Sequence, residues 1–459
     1  MAPADAQQLV TRPPANALVT LPAQNAAQAD MARSIDNVCP TLTFQANQAA
    51  LNPQQQDLRD VCSRMVNTAR DPEDPSGYGL NAGDTNDALQ RINGEELATP
   101  DAQITEIRGI QTGNISSRLD AIRSGLAGPG ISIAGLSLNA GERVLALTDP
   151  EDFQIVPAQW EDFGFLSRLG LFVTGAFKFG DKETTAASDG FDFLTQGVTA
   201  GADYRLTDQF VLGAAFGYSN FDADFDTTDQ SAAGQDLDSD TFVGSLFGSY
   251  SFTNGPFVDA IASVGWGEYD STRKIVIVSA NPAVPSENRT AKGDFDALHY
   301  GVAANFGWDI PIQAFTVTPL ARVEFVRAEI DGFEEDGADG LNLEFDDHNA
   351  ESLTTNLGLE ATYSISTAFG VIVPSVRAEY VHDFLIDDDG ADVSYAADPT
   401  GLSAFEITTE AADQDYGIVG AGAAATFPAG WAAFVDWNTF VGLSNFDIHT
   451  VNVGFRKEF

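Results

Sequence analysis

Positive charge is scarce in this chain: 23 Lys and Arg stand against 67 Asp and Glu over 459 residues, a formal net charge of -44. A nucleic-acid backbone requires a basic surface that such a chain cannot supply, which excludes nucleic acid as a partner. An anionic membrane surface repels it as well unless divalent cations intervene. Long apolar runs are also missing. No stretch of about 18 apolar residues occurs, which excludes a transmembrane helix but not a membrane protein built from strands. The only two cysteines, Cys39 and Cys62, fit a single disulfide in an oxidising compartment; two unbridged buried thiols are the alternative. The four histidines, His299, His348, His382 and His449, are scattered, and neither a G-x-S-x-G elbow nor a paired His-Glu metal motif is present. The residue pattern therefore carries no catalytic centre and no metal site, and the chain reads as a non-enzyme.

Glycine and phenylalanine are plentiful, at 42 and 32 residues, and from residue 169 onward they recur in one repeated unit: an alternating segment of ten or so residues, then a turn. Residues 169–180 set Leu169, Leu171, Val173, Phe177 and Phe179 against Gly170, Thr174, Ala176 and Lys178, one face apolar and the other small or polar. The same alternation runs through 197–206, 210–219, 242–252, 257–269, 297–310, 315–330, 352–364, 371–384, 416–427, 432–443 and 448–459. That makes about twelve strands, an even number as a bacterial single-chain barrel requires. The connections discriminate better than the strands. Residues 206–209, 253–255, 311–313, 366–368 and 428–430 make tight turns, whereas those between are mostly long and acidic, the asymmetry of an outer-membrane barrel. Tyr204, Phe210, Tyr250, Phe252, Trp308 and Trp431 fall at strand ends beside the tight turns, as an interfacial girdle would. The fold class read from this pattern is mainly β: a twelve-stranded antiparallel transmembrane barrel over residues 164–459, in the bacterial outer membrane. Its inward positions carry Asp203, Arg205, Asp309, Arg322, Glu324, Glu360, Arg377, Glu379, Asp436, Arg456 and Glu458. Charges of both signs suit a hydrated or helix-filled lumen better than a packed core.

The first third is different. Residues 1–30 read as a flexible tail, and Met1-Ala2-Pro3-Ala4-Asp5-Ala6-Gln7 lacks the basic start and apolar core of a secretory leader, so a barrel in the outer membrane implies a leader already removed. Residues 31–100 read as a small helical segment, broken at Asn52-Pro53, with the two cysteines flanking the break. Such a hairpin is too small to bury an adequate core alone. Residues 101–127 hold Ile104, Ile107, Ile115, Leu119, Ile122 and Leu126 near helical spacing with Glu106, Arg108, Arg118, Asp120 and Arg123 between them. A helix over 101–125 would run about 37 Å, long enough to thread a bilayer-thick pore; the alternative is a surface helix packed on the N-terminal unit. Residues 128–163 read as a linker with one or two weak strands.

Leu169-Gly170-Leu171-Phe172-Val173, Phe179-Gly180-Asp181-Lys182, the run from Gly197 to Arg205, Val211-Leu212-Gly213-Ala214-Ala215-Phe216-Gly217-Tyr218, Arg377-Ala378-Glu379-Tyr380-Val381-His382 and the terminal Gly454-Phe455-Arg456-Lys457-Glu458-Phe459 together resemble the translocator barrel of the autotransporter (type V secretion) family. The resemblance covers roughly residues 160–459. It implies a twelve-stranded barrel with an N-terminal segment threaded through it as a helix, and a terminal strand read by the outer-membrane barrel assembly machinery through Val453, Phe455 and Phe459. Lys457, where the family usually has an apolar or aromatic residue, departs from the pattern, and in place of a long passenger stand about 100 mostly helical residues.

The function expected is a translocator that threads and displays, or is plugged by, its own N-terminal segment. The alternatives are a porin-like channel for small solutes and an adhesive or structural surface protein acting through acidic loops, bridged by divalent cations to lipopolysaccharide. No cofactor is expected beyond weak Ca²⁺ at the clusters Asp222/Asp224/Asp226, Glu334/Glu335/Asp336/Asp339 and Asp387/Asp388/Asp389, none of which matches a calcium-loop motif.

Overall fold

A computed structural model describes residues 15–94, 111–120 and 168–458, apart from 24, 49, 186–189, 227–233, 386–390, 408–412 and 429–430. Twelve long antiparallel strands close on themselves. They are β1 (Leu169–Lys182), β2 (Phe191–Arg205), β3 (Phe210–Phe225), β4 (Asp236–Ser251), β5 (Pro256–Ile277), β6 (Glu287–Trp308), β7 (Phe315–Ile330), β8 (His348–Tyr363), β9 (Gly370–Asp383), β10 (Asp415–Phe427), β11 (Trp431–Val441) and β12 (Phe446–Glu458). Each pairs with its sequence neighbour, and β1 pairs with β12 from Gly170↔Glu458 to Lys182↔Phe446, which closes the barrel. Closure leaves no sheet edge, the condition for a sheet in hydrocarbon.

Alternation decides which side chains face lipid. On β1, Leu171, Val173, Phe177 and Phe179 are exposed outward while Phe172, Thr174, Ala176 and Lys178 are buried. Tyr250, Phe252, Trp308 and Trp431 ring the tight-turn rim, and Tyr218, Trp266, Tyr300 and Tyr380 are exposed nearer the long-loop side. Inside, large rings lie over glycines of adjacent strands. A Cβ added at Gly201 would sit 2.5 Å from the Phe172 ring, at Gly213 2.2 Å from Phe247, and at Gly454 2.1 Å from Phe434. Only a residue without a side chain admits those rings, so these glycines are set by close approach.

Residues 15–94 form a cap beyond the long-loop end. Helix α1 (Ala26–Ala46) starts where the Asn25 side chain accepts from Gln28 N. Helix α2 (Pro53–Arg70) starts at a capping box made by Asn52 and Gln55, with Pro53 at the first turn where its missing N–H costs nothing. Helix α3 (Ala82–Asn93) begins at Asn81 and ends at Gly94 in the left-handed conformation (φ +78°). A Cys39–Cys62 disulfide joins α1 to α2, with Cα atoms 5.8 Å apart.

The apolar faces of these helices, Met31, Ile35, Val38, Leu42, Leu58, Val61, Met65, Leu89 and Ile92, share one core with a platform grown from the barrel. The platform has two parts. One is the upper end of the β5–β6 hairpin, bringing Ile275, Ile277 and Ala291. The other is a small antiparallel sheet of Phe333–Glu334, Leu343–Phe345, Ala391–Tyr395 and Phe405–Ile407, bringing Leu343, Phe345, Val393, Tyr395, Phe405 and Ile407. At the junction Arg273 and Glu335, each 1% exposed, form an ion pair, and the guanidinium also donates to the carbonyls of Ile92 and Leu341. Tyr78 donates to Glu287 at 2.9 Å, Arg64 reaches the same carboxylate at 2.8 Å, and Arg289 pairs with Asp57. Burial, with Glu287 alongside, pushes the Tyr78 hydroxyl above its ordinary pKa, so it stays a neutral donor.

Several expectations change here. The tail expected over residues 1–30 is structured from its middle onward: Ala17 and Leu18 are buried, and α1 already begins at Ala26. The small helical segment expected over 31–100 contains a third helix at Ala82–Asn93. Strands β5 and β6 run eight and ten residues past the expected ends at 269 and 297, because Ile275, Ile277 and Ala291 find apolar partners on the cap. The acidic connections after β7 and β9 contain the small sheet rather than loop alone. The linker expected over 128–163 lies outside the described residues.

Candidate functional site: the occupied lumen

Residues 111–120 are helical and lie inside the barrel against β1–β5. Ile115 and Leu119 pack with Phe172, Val211, Ala215, Phe247 and Ile261, which are inward residues of the wall. The helix is therefore held partly by an apolar stripe on one side of an otherwise polar lumen. Its polar side chains meet matched receptors. Gln111 Nε2 donates to Ser245 Oγ at 3.0 Å, Thr199 Oγ1 donates to Gln111 Oε1 at 2.7 Å, and Asn114 Nδ2 donates to Thr199 Oγ1 at 2.9 Å. Arg118 is 2% exposed; its Nε donates to Asp203 Oδ2 at 2.8 Å, and its guanidinium carbon sits 5.2 Å from the Phe172 ring centroid. Two glycines make room. A Cβ at Gly217 would come within 2.2 Å of Gln111 Oε1, and one at Gly170 within 2.7 Å of Arg118 Nη2.

These contacts give the helix a direction. Asp203 is close to the tight turn at residues 206–209, while Thr199 is four residues nearer the long loops. Gln111 therefore points toward the long-loop side and Arg118 toward the tight-turn side. The chain thus runs from the cap down into the lumen, and β1 starts from the tight-turn rim, where Leu169 pairs with Tyr204.

The opposite half of the lumen is a polar network. Arg377 Nε donates to Asn438 Oδ1 at 2.8 Å, and Asn356 donates to Glu379 at 3.1 Å. Asn438 and Asn452 each donate to Asp436 at 2.9 Å. Arg322, Glu324 and Glu360 share the inward alternation of β7 and β8 with buried neighbours such as Thr318, Val326 and Asn356. Asp309 sits at the tight-turn rim and accepts from Thr318 Oγ1 at 2.7 Å. Arg456 is buried and lines a small cavity with Arg118, Phe172 and Phe434; Arg205 lies two residues beyond Asp203 on the same side of β2. Asp203 is thus an inward charge hydrogen-bonded directly to the helix, while Arg377 lies within electrostatic reach of Asp120 and Arg456 within that of Arg118.

Sequence reasoning missed the receptors Thr199 and Ser245 and the inward ring of Phe172. The available signal was weak: Thr199 and Ser245 are small polar residues on the inward alternation, and Phe172 falls on the small-or-polar face of β1 beside Gly170 and Thr174.

On β12, Val453, Phe455 and Lys457 share the outward face, with Phe455 exposed to 65%. The Lys457 ammonium lies 5.2 Å from the ring centroid of Trp431, its cross-strand partner. A lysine is accommodated here because its stem runs along the wall while its charge rests on a girdle indole. Phe459 lies outside the described residues, as does Asp387/Asp388/Asp389. Among the described residues no group of three or more His, Cys, Asp and Glu side chains is arranged to hold a metal. Glu335 instead holds Arg273, and Asp222 and Asp224 sit on the outer face of β3.

Comparison with known proteins agrees with this geometry. The model of the autotransporter beta-domain family matches residues 171–438. Esterase EstA of Pseudomonas aeruginosa is 26% identical over 243 residues, covering 52% of this chain and 34% of its own. Outer membrane protein B of Rickettsia typhi is 21% identical over 265 residues, covering 54% of this chain and 16% of its own. The chain thus spans about a third or less of the length of these relatives. Among solved structures, the translocator domain of autotransporter NalP from Neisseria meningitidis superposes with a TM-score of 0.50 at 14% identity, covering 64% of this chain and 88% of that one. The closed twelve-stranded wall, the helix within it and the family match over more than half the length agree: this chain belongs to the autotransporter beta-domain family and is a translocator barrel of the bacterial outer membrane.

Proposed function

We propose that this protein exports its own N-terminal segment through the barrel and keeps it on the cell surface as a fixed cap, with residues 111–120 left behind as a plug. The observation that carries this is the continuity of direction: cap on the long-loop side, helix descending through the lumen, first strand starting at the tight-turn rim. Outer-membrane barrels place short turns in the periplasm and long loops outside, so the cap faces the exterior. The chain contributes no catalysis in this reading. EstA is an esterase by name, but no G-x-S-x-G elbow stands in this sequence to carry that chemistry over.

Single-channel recording on the purified full chain and on a variant lacking residues 111–120 tests the plug. The full chain is expected to stay closed or nearly so and the deletion to conduct. A deletion that conducts no better removes the plug, and a full chain already conducting steadily favours the diffusion channel instead.

The assembly machinery of the outer membrane is the partner proposed for the last strand, through the outward row Val453, Phe455 and, by sequence, Phe459. Deleting Phe459 is expected to lower the amount of heat-modifiable barrel in outer-membrane fractions several-fold. Normal insertion of the deletion would show that the terminus is not an assembly signal.

A further inference from the structure

The polar contacts of the 111–120 helix fit the wall at one spacing. Gln111 and Asn114 meet Thr199, and Arg118 meets Asp203. From the first pair to Arg118 the helix advances about 6–10 Å at 1.5 Å per residue. From Thr199 to Asp203 the strand advances about 13 Å, or about 10 Å along the barrel axis for a strand tilted near 40°. The two rulers coincide in this register.

Slipping the helix by one turn in either direction destroys the match. A slip of four residues puts Ile122 or Asn114 opposite Asp203, and a slip of three puts Ala121 or Ile115 there. In each case the Asp203 carboxylate, 6% exposed, loses the helix guanidinium that donates to it and is left to Arg205 and Arg456 of the wall. In the slip of four, Thr199 and Ser245 would face Ile107 and Ile110 in one direction and Ile115 and Arg118 in the other. The glycine notches act in the same sense: Gly217 and Gly170 leave space where Gln111 and Arg118 lie, and nowhere else along the described helix is a polar side chain so accommodated.

We propose that this set of receptors is a register stop: movement of the chain through the lumen halts when Arg118 reaches Asp203, which fixes how many residues stand outside. Arg118, Asp203, Thr199 and Ser245 are positioning residues in this role. The inference rests on the export reading above and adds to it where export ends and which side chains decide that.

Disulfide trapping in the assembled full chain tests the stop. N114C with T199C is expected to form a cross-link, leaving the Arg118–Asp203 and Gln111–Ser245 contacts in place. The polar pattern is then moved one turn later with Q111I, I115Q and I122R, and with either N114C and R118N or N114S and R118C, each paired with T199C. The trap is expected to move from residue 114 to residue 118, a displacement of about 6 Å. A trap that stays at 114 would overturn the stop, since something other than these receptors would be setting the register. If N114C/T199C fails to cross-link in a barrel that shows heat-modifiable folding, the helix is not held in the lumen and the export reading fails with it.

A gentler variant covers the case in which the transposed helix does not assemble. D203N keeps the shape of the receptor and removes its charge. With T199C in that background, single cysteines I110C, N114C and R118C are expected to trap to comparable extents. Trapping confined to residue 114 would show that Asp203 does not select the register.

Discussion

Replacing Arg273 with Ala is expected to detach the cap from the barrel while leaving the barrel itself intact. Arg273 and Glu335 are both 1% exposed, so each removed from water depends on the other for its counter-charge. Arg273 Nε donates to Glu335 at 2.9 Å, Nη1 donates to Ile92 O at 3.0 Å and Nη2 donates to Leu341 O at 3.1 Å. Glu335 also accepts from Leu343 N at 2.8 Å. Truncating the arginine leaves a buried carboxylate unpaired and two carbonyls without donors. Breaking a buried pair from one side costs about 3–5 kcal/mol, a large fraction of the 5–15 kcal/mol that typically holds a domain together. Protease digestion on intact cells measures it: the segment from α1 to α3 should become cleavable in R273A, whereas heat-modifiability of the barrel should be unchanged. A cap as resistant in the variant as in the parent would mean that the apolar core of Met31, Leu42, Val61, Val393 and Tyr395 holds it without the ion pair.

The second large effect is expected at the other end of the chain's path. R118A removes the guanidinium that ties the described part of the lumen helix to Asp203, leaving that carboxylate to Arg205 and Arg456 of the wall; a hydrogen bond to a charged group is worth about 1.5–3 kcal/mol. The remaining hold, Ile115 and Leu119 on Phe172, Val211 and Phe247, is a short apolar stripe. The plug should then spend time away from the wall, and single-channel records should show frequent openings absent from the parent. The double variant R118A/D203A, which also takes the carboxylate away from Arg205 and Arg456, should recover none of the closed time, because the helix has lost its anchor in both variants. A double variant that closes as the parent does would show that the charge left at Asp203, and not the lost anchor, opens the lumen.

Much of the barrel was legible because a membrane strand must alternate. Val198, Ala200 and Ala202 could be placed outward and Thr199, Gly201 and Asp203 inward from period two alone, and the tight turns at 206–209 and 253–255 gave the strand pairing. Even Lys457, the one irregularity of the last strand, poses its own question in sequence. Its answer, the Trp431 indole across the β11–β12 pair, needed the register. The platform was not legible for a different reason. Its strands, Leu343–Phe345 and Phe405–Ile407, are three residues each, and so short a run has no periodicity to read. Glu335 looked like one more acid in an acidic loop, since nothing local distinguishes a carboxylate in water from one buried against a guanidinium 62 residues away.

The sequence by itself determined that this is a strand-built outer-membrane barrel, that its wall has twelve strands, that helical spacing precedes it around residues 111–120, and that two cysteines lie on either side of the Asn52-Pro53 break. These follow from local rules: alternation, helical spacing, turn chemistry and the absence of any apolar run long enough to span as a helix. Only the tertiary structure decided that the cap shares its core with the barrel's own loops, that Arg118 is the residue of the helix that answers Asp203, and that the Phe172 ring packs on the lumen helix. Each of these depends on which distant residues are brought within a few ångströms, and on the cost of burying a charge or a ring without a partner, which no stretch of chain carries alone.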